Sequence, residues 1–222
     1  MDVFLSFLLG YAVGMINPSY IIGRIRGFDI RKRGSGNAGG SNALITMGKV
    51  IGLLCILFDL AKAALVTWGA ARIFPECALS FPAAAVGVVL GHVFPPYMKF
   101  RGGKGFACLG GAILAFNPLV FLIMLGGAVI VVLVTDYICF VPLTASVAFP
   151  IVWGIMKNDL WGALMLCIIT AVIFFRHIDN FKKIKNGKEL KFSYLWKKDS
   201  EMKRIGAVED DSGENKNDPK EE

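Results

Sequence analysis

Seven apolar runs separated by short polar stretches constrain this chain more than any other feature of its 222 residues. They fall at about Val3–Ile22, Val50–Phe74, Leu79–Tyr97, Phe106–Phe116, Leu119–Thr135, Ile138–Met156 and Leu160–Phe175. A helix needs roughly 20 residues to cross the hydrocarbon core of a bilayer, and most of these runs approach that length. With 55% hydrophobic and 18% charged residues, the chain is more apolar and less charged than a soluble domain. Both observations point to an all-α, polytopic integral membrane protein. Met1-Asp2-Val3 provides no positive leader segment, so the first run reads as a span and not a signal peptide.

Parity sets the number of spans. The basic stretches are Arg24–Lys49, Lys99–Lys104 and the region from Arg176 onward, and the positive-inside rule places all three in the cytoplasm. The N-terminus then lies outside, and an even number of crossings must separate the second basic stretch from the third. Splitting Phe106–Thr135 at Asn117-Pro118, a helix-breaking pair, satisfies this and gives about seven transmembrane helices, the fourth one short. Residues 1–196 read as one membrane domain and 197–222 as a polar, disordered cytoplasmic tail.

The net charge of +7 is accounted for by these cytoplasmic ends. No soluble basic domain exists to hold nucleic acid. Cys55, Cys77, Cys108, Cys139 and Cys167 form no C-x-x-C pair, and most read as small buried hydrophobes. His92 and His177 are the only histidines, and the usual metal-ligand spacings are missing, so neither metal nor cofactor is expected. Asp59 and Lys62, one helical turn apart inside a run, are placed to pair, and Asp136 falls in a loop. Intramembrane charge marks either function or a structural pair.

Three clusters carry chemistry. In the first, Arg31-Lys32-Arg33 precedes Gly34-Ser35-Gly36-Asn37-Ala38-Gly39-Gly40-Ser41-Asn42. Glycines let backbone N–H groups close on an anion, and Ser35 and Ser41 add hydroxyl donors. The second is Gly91-His92-Val93-Phe94-Pro95-Pro96, leading to Lys99-Phe100-Arg101-Gly102-Gly103-Lys104-Gly105. Lys104 among glycines, ahead of a helix, suits a phosphate, yet the spacing of an NTP-hydrolysing P-loop is absent. His92 reads as a helix-end hydrogen-bonding residue. The third cluster, Arg176-His177-Ile178-Asp179-Asn180 with Gly187-Lys188-Glu189, sets His177 and Asn180 on one helix face. Three phosphate-suited loops on one side of the bilayer suggest a site for two phosphorylated ligands, or for one highly charged ligand.

These clusters, read as GSGNAGGSN, GHVFPPYMKFRGGKG and RHIDNFKKIKNGKE, resemble the three motifs of the bacterial acyl-phosphate-dependent glycerol-3-phosphate acyltransferases. The resemblance runs from about Met15 to Glu189 and implies a seven-helix fold in the cell membrane with a cytoplasmic active site. It implies transfer of an acyl group from acyl phosphate to the 1-hydroxyl of glycerol 3-phosphate, the first step of phospholipid synthesis. It makes His177, Lys104, Ser35 and Asn180 the catalytic candidates. Gly34, Gly36, Asn37, Ser41, Asn42, Gly102 and Gly103 become phosphate-binding candidates, and Glu189 and His92 become supports. Where the family carries Pro, Ala and Thr in the first motif, this chain has Ala38, Gly40 and Ser41. A phosphate-holding family Arg is replaced by Ile45, and Arg31, Arg33 or Arg101 are the candidates to compensate. A G-x-S-x-G elbow and an H-x-x-x-x-D acyltransferase signature are both absent. The rival reading is a membrane transporter or binding protein for a phosphorylated metabolite, suggested by Asp59 and Lys62.

Overall fold

The structure, a computed structural model, describes residues 1–189 and 191–195. The expected polar tail, 197–222, lies outside the described residues. The described residues form nine α-helices and three short 3-10 turns, with no strand. The α-helices are α1 (Asp2–Met15), α2 (Pro18–Ile25), α3 (Gly40–Met47), α4 (Lys49–Ile73), α5 (Ser80–Val93), α6 (Phe106–Phe116), α7 (Pro118–Thr135), α8 (Phe140–Lys157) and α9 (Leu160–Lys185). Six helical stretches are long and apolar enough to cross a membrane. At 11 residues, α6 is only about 16 Å long and falls outside that group.

The first apolar run, expected as one span, is one candidate span over Asp2–Ile25 whose helix is interrupted between α1 and α2. Pro18 has no N–H to continue α1, and the buried Asn17 caps α2 by accepting from Tyr20 N–H at 2.9 Å. The carbonyls orphaned at the end of α1 find donors on other helices. Lys62 Nζ donates to Gly14 O at 3.1 Å and Ile16 O at 2.5 Å, and Tyr97 Oη donates to Met15 O at 2.6 Å. Asn117-Pro118 uses the same device between α6 and α7. There Asn117 Oδ1 accepts from Leu119 and Val120 N–H at 2.8 and 3.1 Å.

The helices associate through small residues, as expected where lipid removes any hydrophobic drive between spans. Gly10 and Gly14 of α1 face Gly87 and Gly91 of α5, four residues apart on each helix. A Cβ on any of the four would overlap a backbone carbonyl of the other helix, so the two backbones lie in direct contact. Pro150 inside α8 leaves the Ser146 carbonyl without its helical donor, and Thr170 Oγ1 of α9 donates to it at 2.5 Å. α7 packs lightly and exposes Leu122, Ile123, Ile130 and Leu133 outward.

The two ends of the bundle differ. At one end Phe81, Phe116, Phe149 and Trp153 stack beside the end of α4 and the start of α9. At the other end lie the loop before α6, the loop before α3 and the end of α9. The short α6 therefore joins one end of the bundle to the other.

Candidate active site

The floor of the site is the segment after α5. Lys99 and Phe100 both take left-handed backbone (φ 55° and 57°), which reverses the chain. Gly102 N–H then donates to Val93 O at 2.9 Å and Gly103 N–H to His92 O at 3.1 Å. A Cβ at Gly103 would strike the His92 ring. These glycines thus bring the segment flat against α5, and their N–H groups are spent on backbone carbonyls. Lys104 follows at once, and its Nζ donates to Asn180 Oδ1 at 2.5 Å.

His92 stands on a buried ion pair. Asp59 Oδ1 lies 2.7 Å from Lys62 Nζ and 3.4 Å from His92 Nδ1. Asp59, Lys62 and His92 are 1%, 5% and 3% exposed. Cys108 adds a third metal-type ligand to Asp59 and His92, the donor atoms lying within 4.8 Å of one another. The Lys62 ammonium, 3.3 Å from His92 Nδ1, already supplies the cation there. Spacing pairs Asp59 with Lys62 but cannot bring His92 and Cys108 to them, because those two come from α5 and α6. The cluster closes the break in the first span, Lys62 donating to Gly14 O and Ile16 O, and so gives the pair a structural role.

The last turns of α9 form one wall. Asn180 sits between Lys104 and Glu189, its Nδ2 donating to Glu189 Oε1 at 2.6 Å. Arg176 Nη2 donates to Gly102 O at 3.2 Å and ties this wall to the floor. His177, 2% exposed, points inward, and its Nδ1 donates to Ile173 O at 2.8 Å. A carbonyl only accepts, so Nδ1 carries the proton and Nε2 is left as a lone-pair acceptor.

The opposite wall is the loop before α3, held by two buried asparagines. Asn17 Nδ2, at the break between α1 and α2, donates to Ala38 O at 2.9 Å. Asn42, fully buried, accepts from Ser35 N–H at 2.9 Å and donates to the carbonyls of Ile30, Arg33 and Asn37. Gly34 and Gly36 take positive φ (57° and 76°), as the turn around Ser35 requires. Arg31 is gripped by Asp29 at 2.7 Å and donates to Met98 O at 2.6 Å, joining this wall to the floor. The Arg31 side chain holds the Asp29 carboxyl down at about 2.

Between these walls is an open cleft of about 610 Å³ lined by Ser35, Lys104, Arg176, Asn180, Lys182 and Lys183, with Phe175, Ile178 and Asp179. One residue or more from each of the three sequence clusters reaches it. Burial holds Lys104 below the usual lysine range; Glu189 pulls it back up, while Lys183 and Arg176 push it further down. Burial, aided by Glu189, drives the nearby Cys139 thiol up to about 11, so this cysteine offers no thiolate nucleophile.

The expected site residues divide accordingly. Ser35, Lys104 and Asn180 line the cleft, and Glu189 braces Asn180. His177 lies buried behind it. Gly34 and Gly36 shape the loop, Asn42 fastens it, and Gly102 and Gly103 seat the floor on His92. Asn37 is half-buried in the loop, and Ser41 is exposed in the first turn of α3, a helix without a side-chain cap. Ile45 is 68% exposed on the same helix. Of the three arginines placed to compensate for it, Arg31 is committed to Asp29, Arg33 stacks on Phe28 at 4.2 Å, and Arg101 is exposed.

Residues 4–187 match the family model described as glycerol-3-phosphate acyltransferase. A glycerol-3-phosphate acyltransferase of Clostridioides difficile is 37% identical, the match covering 86% of this chain and 97% of the relative. One of Symbiobacterium thermophilum is 35% identical over 82% of this chain and 90% of its own. The fold matches the crystal structure of PlsY (YgiH), an integral membrane glycerol 3-phosphate acyltransferase in its glycerol 3-phosphate form. That match has a TM-score of 0.79 and 27% identity, covering 88% of this chain and 98% of the other.

Proposed function

The chain belongs to the glycerol-3-phosphate acyltransferase family, and on that premise we propose that it moves a fatty acyl group from acyl phosphate to the 1-hydroxyl of glycerol 3-phosphate. As an integral membrane acyltransferase it serves phospholipid synthesis. The observation that carries the finer reading is the convergence of three distant sequence clusters on one cationic cleft.

The chemistry suits such a cleft. The hydroxyl oxygen bonds to the acyl carbonyl carbon, the bond from that carbon to the phosphate oxygen breaks, and phosphate leaves with the electron pair. The hydroxyl proton goes to a base. Acyl phosphate is already activated, so no covalent nucleophile is needed. Binding and orienting two anions supplies much of the rate, helped by donors aimed at developing charge. Lys104 holds phosphate as a point charge, with Asn180 and Glu189 fixing its direction. Ser35 faces phosphate from the other wall. His177, with Nε2 as acceptor, orients or deprotonates the attacking hydroxyl. The products are 1-acylglycerol 3-phosphate and phosphate. The cleft faces the cytoplasm of a bacterial cell, the N-terminus lies outside, and α6 crosses as a seventh, short span. Supporting this is the course of α6 from the cleft to the aromatic end.

The test is purified protein given labelled glycerol 3-phosphate with acyl phosphate, or with acyl thioesters as parallel donors. Lysophosphatidate with equimolar phosphate, from acyl phosphate alone, is the expected result. No product at any protein concentration sinks the reading. Lys104→Ala and His177→Ala should each cut turnover by at least about a hundredfold while the protein stays folded, in line with losses for general acid–base and charge-stabilising groups.

A further inference from the structure

Among the described residues, the chain beyond α9 is tied back at Glu189 and again at residues 191–193. Asn186 ends the helix and Gly187, with φ of 68°, reverses the backbone. Gly187 N–H donates to Ile184 O at 3.0 Å and Lys188 N–H to Lys183 O at 2.7 Å, the paired bonds of a Schellman cap. This turn sets Glu189 beside Asn180. A few residues on, the chain meets Asp136, which caps α7 in left-handed backbone (φ 61°). Asp136 Oδ1 accepts from Ser193 N–H at 2.8 Å and Oδ2 from Ser193 Oγ at 2.9 Å. Its own carbonyl accepts from Phe192 N–H at 2.8 Å, and Lys191 Nζ lies 3.8 Å from Oδ2. Asp136 is not among the residues that line the cleft, so the anchor stands outside the site it braces.

We propose that Asp136 is a positioning residue for acyl transfer: it fastens residues 191–193 to the end of α7, holding Glu189 against Asn180 and thereby Asn180 against Lys104. The arrangement is a relay of geometry. A Glu189 on a loose chain end loses rotamer and backbone freedom each time it meets Asn180, whereas an anchored one is pre-set. Lys104, with three freely rotating stem bonds beyond Cβ, then keeps one direction only while Asn180 keeps its own. The proposal rests on the reading of the cleft as the acyl-transfer site.

The experiment uses the full-length protein, with Asp136→Ala, Asp136→Asn, Ser193→Ala, Glu189→Ala and the double variant Asp136→Ala/Glu189→Ala. For Asp136→Ala we expect kcat/KM for glycerol 3-phosphate to fall about tenfold, mostly through KM, the size of one lost charge-assisted hydrogen bond. Asp136→Asn, which keeps an acceptor for Ser193 N–H and a partner for its hydroxyl, should stay within about twofold, with Ser193→Ala between the two. In the Glu189→Ala background the Asp136 change should add less than about twofold, because residues acting through one another are not additive. Trypsin should cut after Lys188 or Lys191 faster in Asp136→Ala than in the parent. Additive losses in the double variant, or an Asp136→Ala protein with parental kinetics and parental trypsin resistance, would overturn the proposal. If Asp136→Ala does not fold, Ser193→Ala decides by the same two readouts. A parent protein with no acyl transfer condemns the reading of the cleft instead, and the trypsin comparison still reports whether Asp136 anchors the chain.

Discussion

Lys104 donates to Asn180 at 2.5 Å in a setting where burial disfavours its charge. A lowered pKa means that the proton is lost earlier as pH rises. Phosphate binding through this ammonium should therefore weaken on the alkaline side below the ordinary lysine value of about 10.4. The measurement is KM for glycerol 3-phosphate across the alkaline range, beside a Lys104→Arg variant that stays charged throughout. A parent KM flat to the highest pH at which the protein stays folded would contradict the assignment. At this scale the sequence picks out clusters whose residues meet at one cleft, and says less of what each residue does there. Asn42, Gly102 and Gly103 were legible as part of the site from their motifs. Their work is to hold backbone in place, since their polar groups meet carbonyls and amides of the chain itself. That distinction depends on which N–H finds which carbonyl, and no one-dimensional spacing encodes it.

The first apolar run and Phe106–Thr135 carry the same Asn-Pro pair, and the structure breaks both. Only the second break was legible, because charge parity demanded it. At Asn17 the run was long enough to be one span, and the reason for the break lies on α4 in Lys62. Removing that ammonium leaves the buried Asp59 with His92 alone beside it and the Gly14 and Ile16 carbonyls without their donor. Lys62→Met should cost on the order of 3–5 kcal/mol, the usual loss when one member of a buried pair is deleted. Thermal inactivation of the detergent-purified protein measures it, and Lys62→Met/Asp59→Asn should recover part of the loss. An unchanged midpoint for the single variant would show that the pair does not hold the break. The glycine seam between α1 and α5 also escaped the sequence reading. Each glycine looks like a neutral member of an apolar run until its partner helix is known.

On the scale of the whole molecule, the six long apolar stretches and the short α6 place a cationic cleft at one end of the bundle and an aromatic cluster at the other. The all-helical membrane class was legible from run length alone, since only a helix satisfies its own backbone in hydrocarbon. Sidedness is a further prediction. In a cysteine-free background, Glu76→Cys at the aromatic end should react with an impermeant maleimide applied to intact cells. Lys182→Cys at the cleft should react only after the membrane is opened. The reverse pattern would invert the proposed orientation.

The seam of Gly10, Gly14, Gly87 and Gly91 has a consequence for biogenesis. During synthesis α1 enters the bilayer well before α5 leaves the ribosome, and it must wait there without its partner. A glycine face exposes no side-chain polar group to lipid, so waiting is tolerable. Lys62 arrives next with Asp59 one turn away on the same helix, already neutralised as it inserts. Only when α5 follows does the seam close and bring His92 down onto that pair. The order of the helices along the chain is thus also a workable order of assembly, with each buried charge delivered alongside something to meet it.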